Sequence, residues 1–221
     1  MVVLLVQDRA AGALWRGKMM DSTTCLILFV RDPVLGKVKT RLAVSIGDEQ
    51  ALRVYKLLLN HTHTITAGLN CTKYVYYADS VISVDLWDKG NFIKAVQSGN
   101  DLGERMFNAF QSAFDDGYKK VVIIGSDCFQ LSTELIISAF DALNQYDAVI
   151  GPAEDGGYYL LGLKKLVPAI FKDKTWSTNS VCRDTIKDIE SMNLSYKLLP
   201  ILNDVDEAAD LERSNILLSD N

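Results

Sequence analysis

The sequence lacks any closely spaced pair of cysteines. Cys25, Cys71, Cys128 and Cys182 are scattered with no CxxC spacing, and the only histidines are His61 and His63. A structural zinc site needs tighter ligand spacing. Residues at i and i+2 of a helix point in different directions, so the two histidines read as surface or packing groups. Scattered thiols imply reduced, partly buried cysteines, as in a cytosolic protein. No apolar run approaches the ~18 residues of a membrane span. Positive charge is also in deficit. A formal net charge of −5 argues against a non-specific nucleic-acid binder, although a local Lys/Arg cluster can still hold a small phosphorylated ligand. Neither internal repeats nor low-complexity linkers break the chain.

What is present fits one soluble core. The 221 residues, 48% hydrophobic and 23% charged, suit a single domain over residues 21–221. Residues 1–20 begin with the short apolar stretch Val2–Val6, without the basic start of a signal peptide. They are expected to lie outside the core, and Met19 or Met20 is a plausible translation start.

Strand-like and helical segments alternate. Thr24–Val30 is a continuous apolar run, as expected of a parallel strand covered on both faces. A polar, cationic loop is expected over Arg31–Arg41 and a helix over Asp48–Ala67. Strands follow at 73–78 and 92–96, a helix at 102–114, a strand at 121–125 and a helix at 133–143. Short strands at 147–150 and 158–163 flank a Gly-rich turn. A helix at 179–192, a strand at 196–199 and a helix from Glu207 complete the pattern. It predicts an α/β, three-layer, Rossmann-like architecture: a central, mostly parallel sheet with helices on both faces. Ligands in such sheets bind beyond the carboxyl ends of the strands.

Three segments carry candidate chemistry. The loop after the first strand places Arg31, Lys37, Lys39 and Arg41 within eleven residues. Lys37, Lys39 and Arg41 can hold a diphosphate by charge-assisted hydrogen bonds, and a solvated basic turn is the alternative. The first Gly of a Walker A loop is missing. Asp127 directly follows the strand Val121–Gly125, a position suited to binding Mg²⁺ or Mn²⁺. Its alternative role as a helix N-cap is better filled by Ser132 or Thr133. Glu154, Asp155, Gly156 and Gly157 form a flexible acidic turn that can also be read as a plain hairpin turn. Asp206 either caps the last helix or completes the metal site.

The segments KVKTRLA (37–43), DLGERM (101–106), GSDC (125–128), GPAEDGGYYLLGL (151–163), WST (176–178) and DVDEAADLE (204–212) occur in this order. The set resembles the bacterial DUF2064 family, the glycosyltransferase-like proteins associated with radical-SAM and selenium-domain proteins and with arsenosugar biosynthesis. The resemblance spans about residues 24–215 and implies the GT-A nucleotide-diphospho-sugar transferase fold. More distantly, the chain is similar to molybdenum-cofactor and phospholactate guanylyltransferases.

The resemblance implies Asp127 and Asp206 as metal carboxylates, with Lys37, Lys39, Arg41 and Ser126 on the phosphate side. It implies Gln97, Asp101 and Arg105 near the nucleotide, and Asp155, Gly156, Gly157, Tyr158 and Trp176 on the acceptor side. Two positions depart from the family pattern: Phe129 stands where Pro is usual, and Arg31 where Lys is usual.

The leading expectation is a metal-dependent glycosyltransferase. It would use a nucleoside-diphosphate sugar and a small acceptor, with Lys39 and Asp155 as catalytic residues and Asp155 as general base. Nucleotidyl transfer from a nucleoside triphosphate, releasing pyrophosphate, is the second expectation. Non-catalytic nucleotide binding is the third.

Overall fold

The computed structural model describes residues 22–214 and residue 216. The expected extension before residue 21 lies outside them. Seven strands form one sheet: β1 (Thr24–Val30), β2 (Thr72–Tyr77), β3 (Phe92–Val96), β4 (Lys120–Ile124), β5 (Ala148–Pro152), β6 (Tyr158–Leu163) and β7 (Tyr196–Leu198). Their spatial order is β3-β2-β1-β4-β6-β5-β7. β6 alone runs against its neighbours β4 and β5; the other pairings are parallel. The cause is local. Only five residues, 153–157, separate β5 from β6, too few for the crossover that a parallel return requires.

Six helices are described: α1 (Thr40–Ile46), α2 (Asp48–Ala67), α3 (Leu102–Asp115), α4 (Thr133–Ala142), α5 (Val181–Ser191) and α6 (Ala208–Arg213). Short 3₁₀ turns lie at Leu86–Asp88 and Pro168–Phe171. Because side chains alternate along a strand, β1 feeds two cores. Leu26, Leu28 and Val30 pack with Tyr55 and Leu59 of α2 and Ile136, Ala139 and Phe140 of α4. Cys25 and Ile27 pack with Met106, Ala109 and Phe110 of α3 and Ile189 of α5. The result is the expected three-layer α/β arrangement. No described helix is long and apolar enough to cross a membrane.

One element departs from expectation. The cationic segment after β1 becomes helical at Thr40, and Leu42 is fully buried beside Ala51, Val54 and Leu58 of α2 and Val205. Gly47, at φ +82°, ends α1 and lets α2 start at once with Asp48 and Glu49. Those two acids suit the positive end of a helix dipole. This small core of α1, α2 and the segment before α6 fixes the positions of Lys39 and Asp206.

Candidate active site

The parallel strands deliver three loops to one edge of the sheet. The loop after β1 ends in Lys39, the residue Asp127 lies three positions past β4, and the turn after β5 carries Asp155. A fourth segment, 199–206, arrives from β7. It is tied down by the Ala153–Leu202 bridge and by a 2.9 Å hydrogen bond from the Val205 amide to the Asp127 carbonyl.

Lys39 lies at the centre. Its backbone is left-handed, at φ 49° and ψ 43°, an uncommon conformation for a residue with a Cβ. Its carbonyl accepts the first hydrogen bond of α1, from Ala43, at 2.8 Å. Its side chain is only 4% exposed, and its ammonium contacts Asp127 Oδ1 at 2.7 Å and Asp206 Oδ1 at 2.9 Å. Burial works against the charge on Lys39, but the two carboxylates outweigh it and hold its pKa above the ordinary lysine value. Arg41 contacts the other Asp206 oxygen at 2.7 Å and reaches Glu207 at 3.6 Å.

Asp206 is therefore not the cap of α6. Glu207 holds the N-cap position, and Asp210 accepts hydrogen bonds from the amides of Asp206 and Glu207. Asp127 is likewise free of capping, because Ser132 caps α4 through the Leu135 amide.

Beside this cluster is a pocket of about 270 Å³, lined by six carboxyl groups and two guanidiniums. Arg41, Asp155 and Asp206 are the expected residues among its walls. Glu154 of the acidic turn belongs to the walls as well, and so do Asp204, Asp210 and Arg213, which were not among the expected site residues. Arg213 holds Glu154 at 2.9 Å and Asp210 at 2.8 Å. The Oδ1 atom of Asp204 is buried with no hydrogen-bond partner. Burial raises the Asp204 pKa to about 7, the negative charges of Asp127 and Asp206 add to the rise, and Lys39 opposes it. The signal in the sequence was the Asp-x-Asp alternation at 204 and 206, which put two carboxyls on an extended segment beside a metal candidate.

The remaining expected residues have structural engagements. Gln97 donates to the carbonyls of Val30 and Tyr76. Asp101 caps α3 through the Glu104 amide at 2.9 Å, and Arg105 donates to the Gly99 carbonyl at 3.2 Å. Ser126 is buried and hydrogen-bonds Tyr55, whose hydroxyl also holds both backbone groups of Arg31. Lys37 is exposed and faces Asp32 electrostatically.

On the expected acceptor side, the Tyr158 hydroxyl donates to the Met106 sulfur at 3.7 Å, within the core between α3 and α5. The Trp176 indole closes over Gly103 so tightly that a Cβ there would lie 2.4 Å from Nε1. Gly156 is wedged under the backbone of Asn179, and Gly157 donates to Asp155 Oδ1 at 2.8 Å. These four frame the turn and α3, and none is among the pocket walls. The two histidines pack as expected: His61 lies 4.6 Å from the Phe129 ring, and His63 lies 5.7 Å from Trp87. Phe129 thus fills space against α2 at the position where Pro was expected.

Among the described residues, no group of three or more His, Cys, Asp or Glu side chains is arranged to hold a metal ion. The carboxylates of Asp127 and Asp206 nevertheless converge on a single cation, the Lys39 ammonium. One or two protein carboxylates, completed by phosphate oxygens and water, are the donor set that Mg²⁺ commonly takes. The chemistry of the pair fits such an ion.

The family described as "Uncharacterized protein conserved in bacteria (DUF2064)" matches residues 62–178. A solved structure of a candidate nucleotide-diphospho-sugar transferase from Desulfovibrio desulfuricans is 38% identical, with a TM-score of 0.81 over 86% of this chain and 85% of that one. A 2-phospho-L-lactate guanylyltransferase from Methanocaldococcus vulcanius is 27% identical over 178 residues, 77% of this chain and 74% of the relative. The 4-diphosphocytidyl-2C-methyl-D-erythritol synthase of Anaerococcus prevotii shares the fold at 13% identity, with a TM-score of 0.54 over 87% and 94% of the two chains.

Proposed function

The chain belongs to the DUF2064 family and is a transferase, and from that premise we propose that it moves a glycosyl group from a nucleoside-diphosphate sugar to a small hydroxyl acceptor. The observation that carries this reading is the Lys39 centre, whose partner Asp206 is also a wall of an acidic pocket. A departing nucleoside diphosphate needs positive charge where its own negative charge develops. Lys39 at the end of the first loop and Arg41 in the first turn of α1 supply it. Asp127 and Asp206 are the residues that would hold a Mg²⁺ or Mn²⁺ ion, which when bound adds Lewis-acid charge to the diphosphate.

The pocket wall selects the acceptor. Six carboxyl groups against two guanidiniums repel an anionic acceptor and admit a neutral or cationic one. Asp155, held on its turn by the Gly157 amide, is the group best placed to take the proton from an acceptor hydroxyl. Wall acidity therefore favours glycosyl transfer over transfer onto a phosphorylated small molecule.

Nucleotidyl transfer remains the second reading, favoured by the 27% identity to a guanylyltransferase. Product analysis separates the two. The full-length chain, incubated with Mn²⁺ and a panel of nucleoside-diphosphate sugars, is expected to release nucleoside diphosphate, and Asp127→Ala to stop that release. Pyrophosphate formed from nucleoside triphosphates would establish the second reading. Turnover unaffected by Asp127→Ala would overturn both.

A further inference from the structure

Lys39 has a geometry that simple phosphate binding does not require. A lysine serving only a diphosphate needs one flexible, hydrated end. The Lys39 side chain is instead 4% exposed, with its ammonium within 2.9 Å of both Asp127 and Asp206. Those are the carboxylates best suited to a divalent ion. We propose that Lys39 and a divalent cation are alternative occupants of the position between Asp127 and Asp206, and that Lys39 cedes it to the cation by moving its ammonium onto the donor's diphosphate. The inference rests on the metal assignment made above and adds a consequence: cation and diphosphate bind cooperatively, each weakly without the other.

The physical argument has three parts. A monovalent and a divalent cation in contact with the same two carboxylate oxygens repel one another in a partly desolvated site, where screening is poor. One must leave. Lys39 can leave by side-chain rotation alone. Its backbone is pinned by the Ala43 amide and anchored by the buried Val38 before it and Leu42 one turn after it, while its stem has four rotatable bonds. Asp206, by contrast, stays in place when Lys39 departs, because Arg41 holds its second oxygen at 2.7 Å and the Asp206 amide is fixed on Asp210. A displaced Lys39 ammonium needs a new anion, and the diphosphate that accompanies the metal is one. Linkage then makes the effect reciprocal: whatever factor the diphosphate adds to metal affinity, the metal adds to diphosphate affinity.

The test uses Mn²⁺ alone, titrated onto the full-length chain and followed by the EPR signal of the free ion. Lys39→Met, which keeps the stem and removes the charge, is expected to bind Mn²⁺ about tenfold more tightly than the unsubstituted chain, a factor within the usual span of site–site coupling. Adding Asp127→Asn to Lys39→Met is expected to remove the gain. Should Lys39→Met fail to fold, the unsubstituted chain gives an independent measurement. Acetylation of Lys39, read by mass spectrometry, is expected to be slow without Mn²⁺ and several-fold faster with it. Equal Mn²⁺ affinities for the two proteins, or Lys39 protection unchanged at saturating Mn²⁺, would overturn the exchange and leave the metal assignment standing. No Mn²⁺ binding by either protein would overturn the metal assignment and the exchange with it.

Discussion

Gly156 and Gly157 are neighbours on the turn that carries Asp155, yet an alanine at each should behave differently. At Gly156 the backbone has φ +88°, and a Cβ would lie 2.1 Å from the Asn179 carbonyl oxygen and 2.6 Å from its Cα. The left-handed conformation costs a residue with a Cβ about 1–2 kcal/mol. Overlap with a backbone atom that cannot rotate aside adds about 1–3 kcal/mol. The turn has little room to yield, since the Gly156 carbonyl accepts the Cys182 amide at 2.9 Å and is thereby tied to the start of α5. Gly156→Ala should therefore destabilise the protein by about 2–5 kcal/mol. At Gly157 the nearest atom to a new Cβ is Asp155 Oδ1 at 3.2 Å, the tip of an exposed side chain. Gly157→Ala should cost under about 1 kcal/mol. Urea unfolding of both variants, with equal m-values, measures the difference. If Gly156→Ala falls within about 1 kcal/mol of Gly157→Ala, the argument that the turn is clamped against α5 is refuted.

Four other outcomes are expected. Asp206→Asn should lower donor turnover by at least about a hundredfold while leaving the fold intact, as checked by far-UV circular dichroism. Asp155→Ala should reduce transfer to acceptor more than it reduces hydrolysis of the donor, because the proton acceptor and not the donor grip is lost; the ratio of the two products reads this. Asp204 has its pKa raised to about 7 from 3.8, so the folded state favours its neutral form. Its stabilising contribution is present below the ordinary carboxylate range and is lost as pH rises through about 7, by at most roughly 4 kcal/mol. Asp204→Asn should accordingly flatten the pH dependence of stability between about pH 4 and pH 8, as measured by denaturant midpoints. Phe110→Ala, which empties a fully buried ring position on the inner face of α3, should cost about 3–5 kcal/mol by the same denaturant assay.

The sheet was legible from sequence where a strand is buried on both faces, because TCLILFV and VVII are short continuous apolar runs rich in β-branched residues. Helix α1 was not. It starts at Lys39 without a capping side chain, so the usual Ser, Thr, Asp or Asn signal is missing. Its apolar positions are also interleaved with the cations that made the segment look like a loop. Leu42 was the clue, sitting four residues from both Val38 and Ile46.

Asp127 stood out in the sequence because it follows a strand and Asp206 because it precedes a helix, and the fold brings both against Lys39. Lys39 was expected to face phosphate, but its ion pair with Asp206 closes a chain separation of 167 residues that no local pattern encodes. Asp210 and Arg213 escaped for the same reason: their importance comes from the wall they form with Glu154 and Asp204. Gln97, Asp101 and Arg105 also make hydrogen bonds within the protein, Asp101 and Arg105 around the turn into α3 and Gln97 to the Val30 and Tyr76 carbonyls, a task that a motif alone cannot distinguish from ligand contact. Tyr158 and Trp176 show the same ambiguity in aromatic residues, both being engaged against α3.

The most direct measurement is the position of a bound diphosphate. Crystals of the full-length chain grown with Mn²⁺ and a nucleoside diphosphate are expected to show an anomalous manganese peak between Asp127 and Asp206, with phosphate oxygens against Lys39 and Arg41. A diphosphate ordered elsewhere on the protein, with Lys39 still bridging the two aspartates, would contradict the account.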